Sequence, residues 1–368
     1  MVSYNAKNER IKREYFEWEK EANGKAQNTI DNVRAALYLF EKSTNFKDFA
    51  TLTKDSIVAF KKELMKKENS KTDKPISKTY LLHTTKHLID FFKWLSCQSG
   101  YKKKIHIPDI AYFKLSDKDI QIAHSPSSKK FPTIHQIECV VEEMPAETEI
   151  QKRDRALIAF LVLTGVRVTA IASLKIKHVF LEEGYVEQDP NEVKTKFSKK
   201  ITTYFFPVGE FLRDVFIDWV NFLKNEKHFD YDCPLFPKTK LELDKNNQFV
   251  GERLDVEHWQ STTPIRGIVE TAFEEAGFFR YTPHAFRHTL TQLSYEVCRT
   301  PEDFKACSQN LGHNSPLTTL TSYGEIPVCN QGKIIKNLGK NDEDKPVTQR
   351  EIQELKNLLL QRNNHNLA

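Results

Sequence analysis

The chain has 368 residues, enough for two domains with cores of their own. Hydrophobic residues make up 39%, and 55 Lys and Arg stand against 50 Asp and Glu, a net charge of +5. That balance permits a polyanionic partner without demanding one. The longest apolar run, Ala156 to Val166, is broken by Thr164 and Gly165 and is too short to span a bilayer. The opening MVSYNAKNERIKREYFEWEK lacks the apolar core of a signal peptide, so a cytoplasmic protein without a membrane partner is expected. Cys97, Cys139, Cys233, Cys298, Cys307 and Cys329 form no CxxC pair and read as reduced thiols.

In chain order, residues 1–24 are highly charged, with Ile11, Phe16 and Trp18 suggesting a short peripheral helix as an N-terminal extension. Ile30, Val33, Leu37 and Phe40 then recur at helical spacing. A second helix is predicted from the cap Thr53, with Ile57, Phe60 and Leu64 on one face. A third covers Ser77 to Leu95 with Leu81, Leu88, Phe91, Phe92 and Leu95 apolar. Residues 25–112 thus read as a compact helical domain, and Lys61, Lys62, Lys66, Lys67 and Lys86 as ordinary solvated lysines. The Ser-, Pro- and Lys-rich stretch IAHSPSSKKFP marks residues 113–130 as a linker.

The second domain is expected over 131–335. Helices are predicted at PTIHQIECVVEEM, at the apolar RDRALIAFLVL, and from Thr169 to Leu174, where Thr169 can act as the cap. VFLEEGYVEQ and KKITTYFFPV change period and predict a small antiparallel sheet. Helices resume at FLRDVFIDWVNFL and TPIRGIVETAFEEAG. Residues 336–368 form a tail, in which Val347, Ile352, Leu355 and Leu359 line one side of an amphipathic helix. By its residue pattern alone it packs on its own domain.

The chemistry-bearing residues sit at breaks in these helices. In YTPHAFRHTLTQL, Thr282 is a suitable N-cap and Pro283 suits the first helical position. His284 and Arg287 then share a face three residues apart, near a helix start that favours anions. Phe286, Leu290 and Leu293 anchor the other face. HxxR alone occurs often by chance, usually as a structural pair. In RTPEDFKACSQNLGHNSPLTTLTSYGE, Thr300-Pro301 repeats the cap-then-proline start and Gly312 stops the helix. His313 follows that stop, and Tyr323 stands ten residues further on. A lone Tyr in such a place is more often packing. Upstream, in LTGVRVTAIASLKIKHV, Arg167 lies at the joint of two buried helices, a costly position unless it meets an anion.

Taken together, TGVR with its helix, HAFRH and LGHNSPLTTLTSY resemble the tyrosine recombinase (phage integrase) family in residue order and spacing. The motifs run from about 160 to 325, and the N-terminal domain matches only in kind, as a core-binding (SAM-like) domain. The resemblance implies a mainly α fold with a small antiparallel β-sheet: a two-domain, C-shaped recombinase clamp of a helical core-binding domain and a mixed α/β catalytic domain. It implies a site-specific recombinase or integrase that cleaves and rejoins double-stranded DNA, with other protomers in a tetrameric synapse and a nucleoid-associated location. By this resemblance Tyr323 attacks the scissile phosphate to form a 3′-phosphotyrosyl link. A phenol with an ordinary pKa of about 10 needs a base or cationic surroundings, and His284 is the candidate to take its proton. Arg167 and Arg287 fork onto the phosphate oxygens, and His313 adds a hydrogen bond there. A hairpin lysine protonates the leaving 5′ oxygen. Lys194 matches best, with Lys196, Lys199 and Lys200 close by. No cofactor is implied, neither metal nor nucleotide, because the covalent link conserves the bond energy.

One position departs from the family. Ala170 stands three residues after Arg167, where many members have Asp or Glu. That leaves the usual support of Arg167 and His313 to be found elsewhere. It is the one feature favouring a catalytically silent DNA-binding protein of the same fold. A type IB topoisomerase is the other alternative, disfavoured because those enzymes usually carry Lys where His284 stands.

Overall fold

The computed structural model describes residues 4–68, 73–125, 130–195, 199–243 and 249–313. The chain divides into two compact units, Met1–Ser125 and Pro126–Ala368. Tyr323, Lys196, Cys329 and the tail expected over 336–368 lie outside the described residues.

The first unit is helical. It contains α1 (Ala6–Glu17), α2 (Gln27–Ser43), α3 (Lys54–Lys66), α4 (Lys78–Leu95), the short α5 (Ile107–Ile110) and α6 (Asp117–His124). The predicted caps act as expected for α3, where Thr53 and Ser56 make a reciprocal capping box, and for α4, where Ser77 accepts from Tyr80 N–H. Phe40, Phe49, Phe60, Phe91, Phe92 and Phe113 fill one core, meeting mainly edge to face.

Two features differ from the sequence expectation. Helix α1 is not peripheral: Ile11 and Tyr15 are buried in the core, and a polar knot fixes the helix beneath. Asn8, wholly buried, donates to Glu41 Oε1 and to the Lys47 carbonyl and accepts from Phe49 N–H, each at 3.0 Å. Lys12 Nζ lies 2.7 Å from both Glu41 and Glu9. The stretch expected as a linker from residue 113 also carries structure. Phe113 and Leu115 are buried in the first core, and α6 is held to α4 by the Lys78–Asp119 pair at 2.7 Å and by Thr79 Oγ1 donating to the Ala123 carbonyl. The composition that signals a linker begins only at Ser125.

The second unit is built around α8 (Glu149–Thr164), whose residues Ala156 to Thr164 are all buried. On it pack α7 (Ile134–Glu143), α10 (Glu210–Asn221) and α12 (Pro283–Val297). Between α8 and α10 come the short α9 (Val168–Ile171) and a three-stranded antiparallel sheet, β1 (Val179–Phe180), β2 (Tyr185–Gln188) and β3 (Ile201–Tyr204), in that order. The predicted segments form this sheet, with Val186 opposite Thr203 and Tyr185 opposite Tyr204. A second hairpin, β4 (Thr239–Leu243) and β5 (Phe249–Leu254), has no counterpart in the sequence reading. Its alternation is interrupted by a register shift between Lys240 and Glu242, which hides the period of two. Helices α11 (Thr263–Glu275) and α13 (Pro301–Asn310) are the remaining α-helices among the described residues. Among the described residues no helix is long and apolar enough to cross a membrane.

Candidate active site

Three chain breaks meet beside α8. The first is Gly165, at φ +58°, which ends α8 in the left-handed conformation. A Cβ there would lie 2.8 Å from both Leu290 Cδ1 and Leu311 Cδ2, so the glycine serves the turn and the close approach of two other segments. Arg167 follows as the N-cap residue of α9 and is half-buried. The cap position is therefore Arg167 and not Thr169, because α9 starts two residues earlier than its hydrophobic pattern suggests. The second break is the start of α12. Thr282 is the N-cap residue there but makes no side-chain cap hydrogen bond, and Pro283 opens the helix. Phe286 and Leu290 are fully buried and hold the helix in place, while His284 is exposed on the first turn. The third is Gly312, at φ +65°, beyond the capping box of Thr300 and Asp303 that opens α13.

Arg287 joins all three. Its guanidinium donates to the Gly165 carbonyl, to the Leu311 carbonyl at 2.6 Å and to His313 Nε2 at 2.8 Å. Arg287 and His313 are 3% and 5% exposed. Since the guanidinium can only donate, the neutral His313 ring accepts at Nε2 and carries its proton on Nδ1. Burial, and then the charges of Arg287, Arg167 and His284, push the His313 pKa down to about 3. The same influences tie Arg167 and His284 to this imidazole, so four of the predicted residues gather in one place. Ala170 is buried against the core at 1% exposure.

Lys194 stands on the long β2–β3 connection. Its backbone N–H donates to Ser173 Oγ at 2.9 Å, and Ser173 Oγ in turn donates to the Ala170 carbonyl. The loop is thereby anchored just past α9, and the Lys194 side chain is exposed. His258 hydrogen-bonds the Ala172 backbone, and its pKa is lowered by burial first and then by Lys175 and Lys194. Of the competing lysines, Lys200 is paired with Glu187 at 2.5 Å.

Several residues that shape this region were not singled out in the sequence. Ser173 anchors the Lys194 loop, and Asn310, Thr203 and Gln188 link the sheet to α13. Their partners are up to 107 residues away, so no local pattern reveals them.

Residues 131–326, just over half of the chain, match the model of the Phage integrase family. The chain belongs to the phage integrase family, the tyrosine recombinases. Curated relatives include the "Tyrosine recombinase XerC" of Halalkalibacterium halodurans, 24% identical over 208 residues, or 54% of this chain and 60% of the relative. The XerC of Thermodesulfovibrio yellowstonii is 25% identical over 194 residues, 52% of this chain and 56% of the relative. The chain thus spans about three-fifths of the length of these relatives. Among solved structures, a lambda integrase dimer bound to a COC′ core site aligns with a TM-score of 0.59 at 13% identity, covering 92% of this chain and 99% of that one. The Tn1549 transposon integrase in complex with transposon right end DNA aligns at 0.52 and 14% identity, covering 89% and 99%. At these identities the two structures establish the fold: mainly α with small antiparallel sheets.

Proposed function

We propose that this integrase-family chain is a site-specific recombinase that cuts and rejoins double-stranded DNA through Tyr323. The observation that carries the reading is Arg287 hydrogen-bonded to the buried imidazole of His313, with Arg167 and His284 near enough for their charge to act on that ring. Two arginines, one buried and one half-buried, directed at one place are costly by themselves and become favourable when an anion joins them. A scissile phosphate fits that requirement, because its negative charge grows on the non-bridging oxygens during attack.

In the proposed reaction the Tyr323 hydroxyl gives its proton to His284 and its oxygen attacks phosphorus. Arg167 and Arg287 donate to the non-bridging oxygens, and His313 adds a further hydrogen bond. The bond to the 5′ oxygen breaks, Lys194 supplies the proton to that oxygen, and a 3′-phosphotyrosyl link remains. Rejoining is the reverse, with a 5′ hydroxyl attacking the link. Exchange between two duplexes requires partner protomers, and a tetrameric synapse is the assembly this chemistry calls for; a solved lambda integrase relative is a tetramer bound to a Holliday junction. Work on such DNA belongs in the cytoplasm, at the nucleoid. His284, where type IB topoisomerases usually carry Lys, favours recombination over simple relaxation, and Ala170 is the residue that favours a silent binder.

The test is covalent capture. Wild-type protein is incubated with a library of nicked duplexes of randomised core, and DNA-linked protein is isolated on a denaturing gel. A protein–DNA adduct is expected, and Tyr323→Phe is expected to abolish it. An adduct that persists in Tyr323→Phe contradicts the nucleophile assignment. No adduct from any duplex favours the silent binder, and relaxation of supercoiled plasmid without sequence preference favours the topoisomerase.

A further inference from the structure

The β2–β3 hairpin carries the lysines among which the leaving-group acid stands, and β3 is the outer strand of its sheet. An edge strand turns alternate N–H and C=O groups away from its neighbour. The inward bonds here include Phe205 N–H to the Gly184 carbonyl at 2.8 Å, so the N–H and C=O of Tyr204 form an outward pair. One side chain takes both outward groups. Asn310 Nδ2 donates to the Tyr204 carbonyl at 2.8 Å, and Tyr204 N–H donates to Asn310 Oδ1 at 2.6 Å. The carboxamide acts as a one-residue strand added to the sheet. Beside it, Thr203 Oγ1 donates to the Asn310 carbonyl and accepts from Gln188 Nε2, both at 3.0 Å. Thr203 and Gln188 are buried.

Asn310 is the last residue of α13, and Leu311, Gly312 and His313 follow directly. That turn has independent support on its other side. Arg287 holds the Leu311 carbonyl and His313 Nε2, and His313 N–H donates to the Ser308 carbonyl at 3.1 Å. Packing adds to it, since a Cβ on Gly312 would lie 2.7 Å from Ile201 Cδ1 of β3. With the turn fixed by Arg287, loss of the carboxamide would loosen β3 at Tyr204 and shift its register, and leave the turn in place.

We propose that Asn310 is a positioning residue that registers the β2–β3 hairpin, and with it the lysine that protonates the departing 5′ oxygen, against the turn holding His313. The proposal rests on the DNA-cleavage reading above and holds whichever hairpin lysine is the acid. Asn310→Asp tests it, because this change keeps the size and the acceptor for Tyr204 N–H but sets a carboxylate oxygen against the Tyr204 carbonyl. Thr203→Val is the second variant and removes only the neighbouring hydroxyl. Single-turnover cleavage is measured on a nicked duplex captured by the wild-type protein from the randomised library, once with the natural 5′ oxygen and once with sulfur in its place. A thiolate leaves without needing a proton, so the sulfur duplex bypasses the acid.

Asn310→Asp is expected to bind the duplex as the wild type does. It should cleave the oxygen duplex about 10²-fold more slowly, the loss typical of roughly 1 Å of misplacement. On the sulfur duplex it should regain the wild-type rate, and Thr203→Val should follow the same pattern with a smaller loss. Wild-type speed on the oxygen duplex, or a loss that persists in full on the sulfur duplex, overturns the positioning role while the wild type's own adduct still stands. If the wild type forms no adduct on either duplex, the cleavage reading fails and the proposal fails with it.

Discussion

Each unit contains a buried charged cluster, and the two are built on opposite principles. In the first unit, Lys12 is met by Glu41 and Glu9 at 2.7 Å, and Asn8 satisfies the remaining oxygen of Glu41 and the nearby backbone. It is a knot of opposite charges, closed by hydrogen bonds. In the second unit, Arg287 is buried against His313 with the charge of the half-buried Arg167 acting on the same ring, and Arg287 uses backbone carbonyls and an imidazole as its acceptors. The first arrangement holds a helix in place. The second, on the reading proposed above, holds side chains ready for a charge that arrives from outside. A buried charge is therefore informative about function through what neutralises it, and less through its burial.

This contrast can be broken or sharpened by experiment. The largest expected effect is on the closed knot. Glu41→Gln leaves Lys12 without its buried counter-charge and should destabilise the first unit by about 3–5 kcal/mol in a denaturation experiment, with single-turnover cleavage unchanged wherever the protein stays folded. A small stability loss would mean the knot is not the pin that it is taken to be. Next is Arg287→Lys, which keeps the charge and loses the fork. It should slow cleavage by about 10²–10³-fold, as loss of an oxyanion donor does, and unchanged cleavage would contradict the phosphate role.

A third effect follows from His313, whose pKa falls from 6.5 to about 3 on folding. Between those values the unfolded chain binds a proton that the folded chain refuses, so stability falls as pH drops through this window. His313→Gln should flatten that part of the wild-type stability curve, and an identical slope in both proteins would rule the assignment out. The smallest effect is on anion binding. Sulfate at ten times its Kd should stabilise the wild type by about 1.4 kcal/mol and Arg287→Lys by less. Equal gains would place the sulfate elsewhere.

The site was more legible in the sequence than the structure that supports it. Gly165, Pro283 and Gly312 are backbone signals, and each lies within two residues of a site residue or, for Pro283, directly before His284, so local reading reached Arg167, His284 and His313. Arg287 was legible as a neighbour of His284 on one helix, although its reach to the Gly165 and Leu311 carbonyls was not. Asn310 and Tyr204 are 106 residues apart and Asn8 and Glu41 are 33 apart, so nothing periodic connects them. Phe113 and Leu115 border a polar segment whose composition resembles a linker, and only the aromatic core of the first unit explains their burial. Lys194 stayed one of several lysines, because its anchor, Ser173, belongs to a segment 21 residues earlier.

The central claim is that the cluster around His313 is completed by a phosphate. The direct measurement is an NMR titration of the His313 imidazole in Tyr323→Phe, first alone and then on captured duplex DNA that this variant cannot cleave. The free protein should keep His313 neutral down to about pH 3, and DNA should shift that pKa upward as phosphate offsets Arg287 and Arg167. An imidazole that titrates at its ordinary value in the free protein, or one whose pKa is unmoved by DNA, would contradict the account.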